Sequence, residues 1–258
     1  MEVKNYRDNP HYADFVLHLA DTNLILAQRL CEWCGHGPIL EQDIAVSNIA
    51  LDLLGQAHNY YDYAAELIGN EQNADTLAML RQEREYKNLL LTELPNGDFG
   101  RTVARQFFFD SFYVLFLEQL LKIGDPALRG IIEKSIKETK YHLRWSSEWM
   151  IRLGDGTEES HSRMKDALDF LLPFVGELFV MADYQQKLIE SGLLPDPLEF
   201  KTTWEENIQE ILMQATLETN LKDLHVQQGG KQGIHTEYLG YILTEMQYMQ
   251  RVYPGMEW

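Results

Sequence analysis

Four acids fall one in each of four long stretches of helical character, and three of them sit among apolar neighbours. Asp21 lies in LHLADTNLILA, Asp52 in NIALDLLGQA, Asp110 in FFFDSFYVLF and Glu138 in IKETKYHLRW. A helix with no wet face belongs at the centre of a bundle, so an acid such as Asp110 must pair, keep its proton or bind an ion there. One interior acid per helix is the skeleton of a carboxylate-bridged two-metal site, which takes an acid from each of two helices and Glu-x-x-His from each of the other two. The i, i+3 spacing matters because such residues share a helix face. Asp52 follows Asp21 by 31 residues and Glu138 follows Asp110 by 28, as two helical hairpins related by an internal repeat would give.

The histidines break the pattern. Position i+3 holds Gly55 after Asp52 and Tyr141 after Glu138, and neither replaces a neutral imidazole. His142 at i+4 could share the face of Glu138, but Lys137 and Lys140 beside it suit an internal ion pair better than a divalent metal. His58, six residues from Asp52, faces elsewhere. Asp21, Asp52, Gly55, Asp110, Glu138 and Tyr141 therefore read as degenerate di-metal positions whose acids are met by Lys, Arg, Tyr or water. No catalytic, cofactor-binding or metal-binding residue is assigned. With a buried Lys or Arg as the partner of Asp110, Asp110→Leu should be poorly tolerated.

Helices must position these groups. Apolar spacing predicts helices from Tyr12 to about Trp33 and from Leu40 to Ile68, the second with Ile44, Ile49, Leu51, Leu54, Ala57, Tyr61, Ala65 and Ile68 on its apolar face. Gly55 in that helix suggests close packing against a neighbour. A shorter surface helix covers about Asp75 to Asn88, and Pro95-Asn96-Gly97-Asp98 makes a turn. Phe99 to Ile123 is the central helix. Gly124 stops it, and Asp125 and Pro126 cap and open the next, which runs to Leu153. Thr157 to Ser191 is helical but bent or split at Pro173. Leu198 to Leu224 is another helix, the Gly-rich VQQGGKQGIH is a flexible connector, and Thr236 to Val252 closes the chain before a Pro-Gly tail and Trp258. Strand signals are absent. The reading is an all-α long-helix bundle, one domain over 1–258, with a core at about 12–153 and additional helices at 157–252.

A formal charge of -18, from 22 Lys plus Arg against 40 Asp plus Glu, argues against a nucleic-acid partner. No window is long and apolar enough for a membrane span, and the polar N-terminus lacks a secretion signal, so a cytoplasmic location is expected. Cys31 and Cys34 form a lone CxxC with Gly35 before His36, and read as buried or half-buried thiols without chemistry. GGKQG at 229–233 is no P-loop, although its Lys231 could meet a phosphate. His235, Glu237 and Glu245 open the last helix, where acids suit the first turns and need not be ligands.

Several stretches together resemble one family: QRLCEWCGHGPILEQDIAVSNIALDLLGQA (28–57), NLLLTELPNGDF (88–99), KETKYHLRWSSEWMIRLGDGT (137–157) and GGKQGIHTEYLGYILTEMQYMQRVYPGMEW (229–258). These are similar to the PaaC-type subunits of ring 1,2-phenylacetyl-CoA epoxidases, from the first helix to the last residue. The resemblance implies a ferritin-like subunit of a multicomponent monooxygenase of phenylacetate catabolism. It implies that di-iron sits on a catalytic sister subunit, that NADPH acts through a reductase subunit, and that a further small subunit takes part. This chain would carry no cofactor and would support the sister structurally; whether it forms a homodimer when alone is left open. Gly55 and Tyr141 stand where the sister would need histidines. Two other readings compete with the scaffold. One is a di-metal oxygen-activating enzyme built on Asp21, Asp52, Asp110, Glu138 and His142. The other is a CoA-ester-binding module using Lys231.

Overall fold

The computed structural model describes residues 6–123, 125–221 and 226–256; Gly124, Leu224 and Trp258, expected in a turn, a helix end and the tail, lie outside the described residues. Ten α-helices occur among the described residues: α1 (Tyr12–Cys31), α2 (Leu40–Ile68), α3 (Ala74–Met79), α4 (Leu90–Glu93), α5 (Phe99–Ile123), α6 (Pro126–Gly154), α7 (Glu158–Val175), α8 (Asp183–Glu190), α9 (Lys201–Gln214) and α10 (Glu237–Val252). No strand occurs among them, and the fold class is the expected all-α, ferritin-like long-helix bundle. By its contacts the chain divides into two compact units, one from Met1–Pro95, Met181–Leu193 and Gly229–Trp258, the other from Asn96–Val180 and Leu194–Gln228.

In the first unit α1 and α2 form a helical hairpin, with α3, α4, α8 and α10 packed around it. Every residue of α1 from Phe15 to Ala27 is buried, so this is a central helix with no wet face. The buried face of α2 is carried by Val46, Ile49, Ala50, Leu53, Ala57, Tyr60, Tyr61 and Ala64. Ile44 and Leu51, expected in that face, are instead 52% and 63% exposed. A Cβ at Gly55 would meet nothing within 4 Å, so the expected close packing there does not occur among the described residues. Gly69, at φ 69°, closes α2 by donating its N–H to the Ala65 carbonyl (2.8 Å). The surface helix expected at 75–88 is only α3, capped by Asn73 and Thr76, followed by a 3-10 turn at Glu83–Glu85.

The Gly-rich segment before α10 is not a loose connector. It forms a 3-10 turn at Gly230–Gln232 set against the 84–90 segment. A Cβ on Gly230 would stand 2.2 Å from the Asn88 carbonyl oxygen, and one on Gly233, at φ 78°, would stand 2.2 Å from that of Arg84. Both clashes are with backbone, which cannot swing aside. Gly230→Ala is therefore expected to lower stability by about 1–3 kcal/mol, the usual range for overpacking, read as a lower urea midpoint. Lys231 follows and is 4% exposed rather than presented on a loop to a phosphate.

In the second unit α5 packs on α6, α7 and α9, and α6 also touches α7 and α9. The aromatics of the Phe107–Phe116 run fill its core: Phe112 meets Phe116, Phe179 and Phe200, and Phe108 meets Trp204. Asp125 caps α6 through the Ala127 N–H (2.9 Å) with Pro126 in the first turn. Pro173 does not break α7, which runs on to Val175 and tightens into a 3-10 turn at Gly176–Phe179. α9 starts after a 3-10 turn at Pro197–Phe200 and ends at Gln214, ten residues before the expected Leu224. There the chain turns through Thr216 (φ 55°) and the Leu217 N–H closes back on the Leu212 carbonyl, satisfying a helix-end acceptor.

Candidate functional site

Asp21 is wholly enclosed, and four donors surround it. Oδ1 accepts from the Tyr61 hydroxyl (2.5 Å) and from Arg81 Nη2; Oδ2 accepts from Arg81 Nη1 (3.1 Å) and the Lys87 backbone N–H (2.8 Å). Two carboxylate oxygens offer about four acceptor directions, so no lone pair remains for a metal. Arg81 is itself held, donating to the Leu77 and Glu85 carbonyls and lying 4.4 Å over the Tyr86 ring. Burial alone would make its guanidinium easier to deprotonate. The Asp21 charge and hydrogen bonds, with Tyr61 and Tyr86 adding to them, together more than offset that and hold Arg81 as a cation. Burial, and then the Asp21 charge, hold the Tyr61 phenol in its protonated, donating form.

One turn before Asp21 on α1, His18 places Nδ1 2.6 Å from the Lys87 carbonyl. Burial, with the Lys231 charge adding to it, lowers its pKa to about 3, so the ring is neutral and Nδ1–H donates to that carbonyl.

Asp110, also wholly buried, has no Lys or Arg partner among the described residues. Gln106 Nε2 donates to Oδ1 (2.7 Å), and Ser146 Oγ lies 3.2 Å from Oδ2 and 3.2 Å from the Leu143 carbonyl. Burial raises its pKa well above the carboxylate range, further than these two hydrogen bonds lower it. Ser146 Oγ–H donates to Oδ2 as Gln106 does to Oδ1, and burial still favours the protonated carboxyl over these two bonds. The expected ion pair is thus replaced by a neutral carboxyl. The folded state holds a proton that the unfolded chain releases above about pH 3.9, so this group makes stability fall as pH rises. Asp110→Asn is expected to leave the urea midpoint at neutral pH unchanged or raised. Asp110→Leu should cost about 1–3 kcal/mol for two orphaned polar groups, less than breaking an ion pair.

The other two acids are less enclosed. Asp52 and Glu138 are half-buried, and Glu138 lies 3.4 Å from Lys134, while Lys140 pairs with Glu118 (2.7 Å). Tyr141 is 49% exposed rather than inward, with Arg144 over its ring, and His142 is buried. Asp21 is brought together with Tyr61, Arg81 and Lys87 rather than with Asp52, and Asp110 with Gln106 and Ser146 rather than with Glu138. Among the described residues no three His, Cys, Asp or Glu side chains gather as a metal would require. This donor set does not fit a di-iron centre. Cys31 and Cys34 are free and exposed, not buried as expected.

A second buried cluster has no signature in the sequence. Glu93 on α4 accepts from His235 Nδ1 (2.9 Å) and Asn88 Nδ2 (2.8 Å) on Oε2 and from the Thr236 N–H (2.6 Å) on Oε1. Arg29 holds the Glu93 carbonyl with two N–H groups (2.7 and 3.0 Å). His235 Nε2 lies 2.9 Å from the Tyr86 carbonyl, so both ring nitrogens face acceptors and the ring is an imidazolium. Its burial opposes the charge, and Glu93, helped by the Tyr86 carbonyl and the Asp21 charge, more than offsets it, raising the pKa above the ordinary 6.5.

Fold and clusters together define a ferritin-like helical bundle whose most buried acids are engaged by protein groups. The chain belongs to the phenylacetic acid catabolic protein family, which it matches over residues 2–258, including the N-terminal residues outside the stretches that carry the resemblance. It is 48% identical over 244 residues, 95% of this chain and 98% of that protein, to a 1,2-phenylacetyl-CoA epoxidase subunit of Escherichia coli (strain K12). The family read from residues 28–57, 88–99, 137–157 and 229–258 is the one found.

Proposed function

We propose that this chain is the non-catalytic, supporting subunit of a cytoplasmic multicomponent monooxygenase that epoxidises the ring of phenylacetyl-CoA. Di-iron is held by a catalytic sister subunit, and electrons from NADPH arrive through a reductase subunit. Similarity to an epoxidase subunit supports the pathway and the place in a complex. The observation that carries the supporting role is Asp21: its carboxylate is saturated by Arg81, Tyr61 and Lys87, a neutralised arrangement where a metal bundle needs an open ligand.

The test is metal analysis of the chain purified alone and again after co-purification with the catalytic subunit of such an epoxidase. The expected result is iron only with the partner present. About two iron ions per chain in the isolated protein, the complement of a two-metal site, would sink the reading and favour an oxygen-activating enzyme.

A further inference from the structure

The chain's two cysteines, Cys31 and Cys34, stand three residues apart where α1 gives way to the turn before α2, and both are exposed free thiols. Their exposure removes the ground on which the sequence gives them no chemistry. The chain leaves α1 by i to i+3 hydrogen bonds: the Trp33 N–H donates to the Leu30 carbonyl (3.0 Å) and the Cys34 N–H to the Cys31 carbonyl (3.0 Å). Glu32, between them, has the φ -59° and ψ -20° of a 3-10 turn. At that pitch side chains i and i+3 eclipse, and three residues rise about 6 Å. A disulfide spans roughly 4.4–6.8 Å between Cα atoms, so a bridge closes here without moving the backbone. The frame is also held in place, because Arg29 donates both to Glu32 (2.7 Å) and to the Glu93 carbonyl.

A CxxC serves either a metal or a two-electron redox couple. Structural zinc takes four ligands, and among the described residues no third His, Cys, Asp or Glu joins this pair. We infer that Cys31 and Cys34 form a reversible dithiol–disulfide couple on the surface of the chain, with hydrogen peroxide as its oxidant. Desolvation against the body of the protein, then Cys34 and Glu32, push the Cys31 thiol up, so Cys31 keeps its proton and reacts second. The Cys34 thiolate attacks a peroxide oxygen, the O–O bond breaks, and the leaving hydroxide takes up the thiol's proton as water. A sulfenic acid remains on Cys34. The Cys31 sulfur then attacks the Cys34 sulfur; the S–O bond breaks, the S–S bond forms, and the hydroxide leaves with the Cys31 proton as a second water. Each sulfur gives up one electron and the peroxide takes two.

The test treats the reduced full chain with a slight excess of hydrogen peroxide and reads thiol titration and intact mass. Titratable thiols are expected to fall from two to none, the mass to fall by two hydrogens, and dithiothreitol to restore both. Cys31→Ser should stop at a sulfenic acid that dimedone captures. Cys34→Ser should consume peroxide at least about tenfold more slowly than Cys31→Ser, because the remaining thiol is the less ionised one. Neither exchange should lower the thermal midpoint, since both side chains face solvent. Two thiols that survive the peroxide overturn the proposal, as does a gain of oxygen without loss of hydrogen or a bridge that joins two chains instead of closing within one. Equal rates in the two serine variants overturn the order of attack.

Discussion

Replacing Arg81 by Leu is expected to cost about 3–5 kcal/mol of unfolding free energy, the penalty for stranding one member of a buried ion pair. Asp21 would keep its place with no exposed surface, holding only the Tyr61 hydroxyl and the Lys87 N–H against its charge. The loss also reaches α3 and the following turn, because the guanidinium ties the Leu77 and Glu85 carbonyls together. Urea unfolding reads the effect as a fall in midpoint. Asp21→Leu combined with Arg81→Leu should be more stable than Arg81→Leu alone, since apolar replacement of a whole buried pair is often neutral. An unmoved midpoint in Arg81→Leu would show that Asp21 carries no buried charge.

Glu93→Gln should be comparably damaging, about 3–5 kcal/mol, because it leaves the His235 imidazolium without its counter-charge. The pH dependence follows from His235. Its folded pKa is raised above the unfolded value of about 6.5, so its contribution is complete below that value and is lost as pH rises through the folded pKa. His18, neutral in the folded state with a pKa of about 3, gives the opposite slope but only below about 6.5. Unfolding midpoints taken above that pH should therefore fall with rising pH in the wild type. His235→Gln, which cannot ionise, should flatten the decline that His235 contributes. An identical slope in the variant would remove His235 as its source.

Long apolar periodicity reveals α1, α2, α5, α6 and α10 nearly to the residue, because their buried faces repeat over several turns. Asp21 and Asp110 stand out as enclosed acids for the same reason: their flanks are apolar on every side. Their partners are not legible. Arg81 lies 60 residues from Asp21 in a short, mixed-charge stretch with no period of its own, and Gln106 and Ser146 are unremarkable helix residues. Glu93 and His235 are separated by 142 residues, with only a four-residue helix around the acid. The GGKQG run reads as a loose connector because glycine marks both mobile chain and close backbone approach. Only the neighbouring Asn88 and Arg84 carbonyls distinguish them. Ile44 and Leu51 read as core because apolarity alone does not say which of two faces is already filled.

The first unit is built from both ends of the chain. Ile25 and Tyr86 share a buried cluster with Leu239, Ile242 and Leu243 of α10, and Glu93 is sealed by His235 and Thr236. During synthesis these last partners leave the ribosome after all the residues they cover. The nascent hairpin must wait, with an apolar flank open and the Glu93 carboxylate wet, through translation of the whole second unit. At about 5–20 residues per second the 142 residues between Glu93 and His235 take roughly 7–28 s to make, an interval in which the unit stands open on the side that α10 later covers.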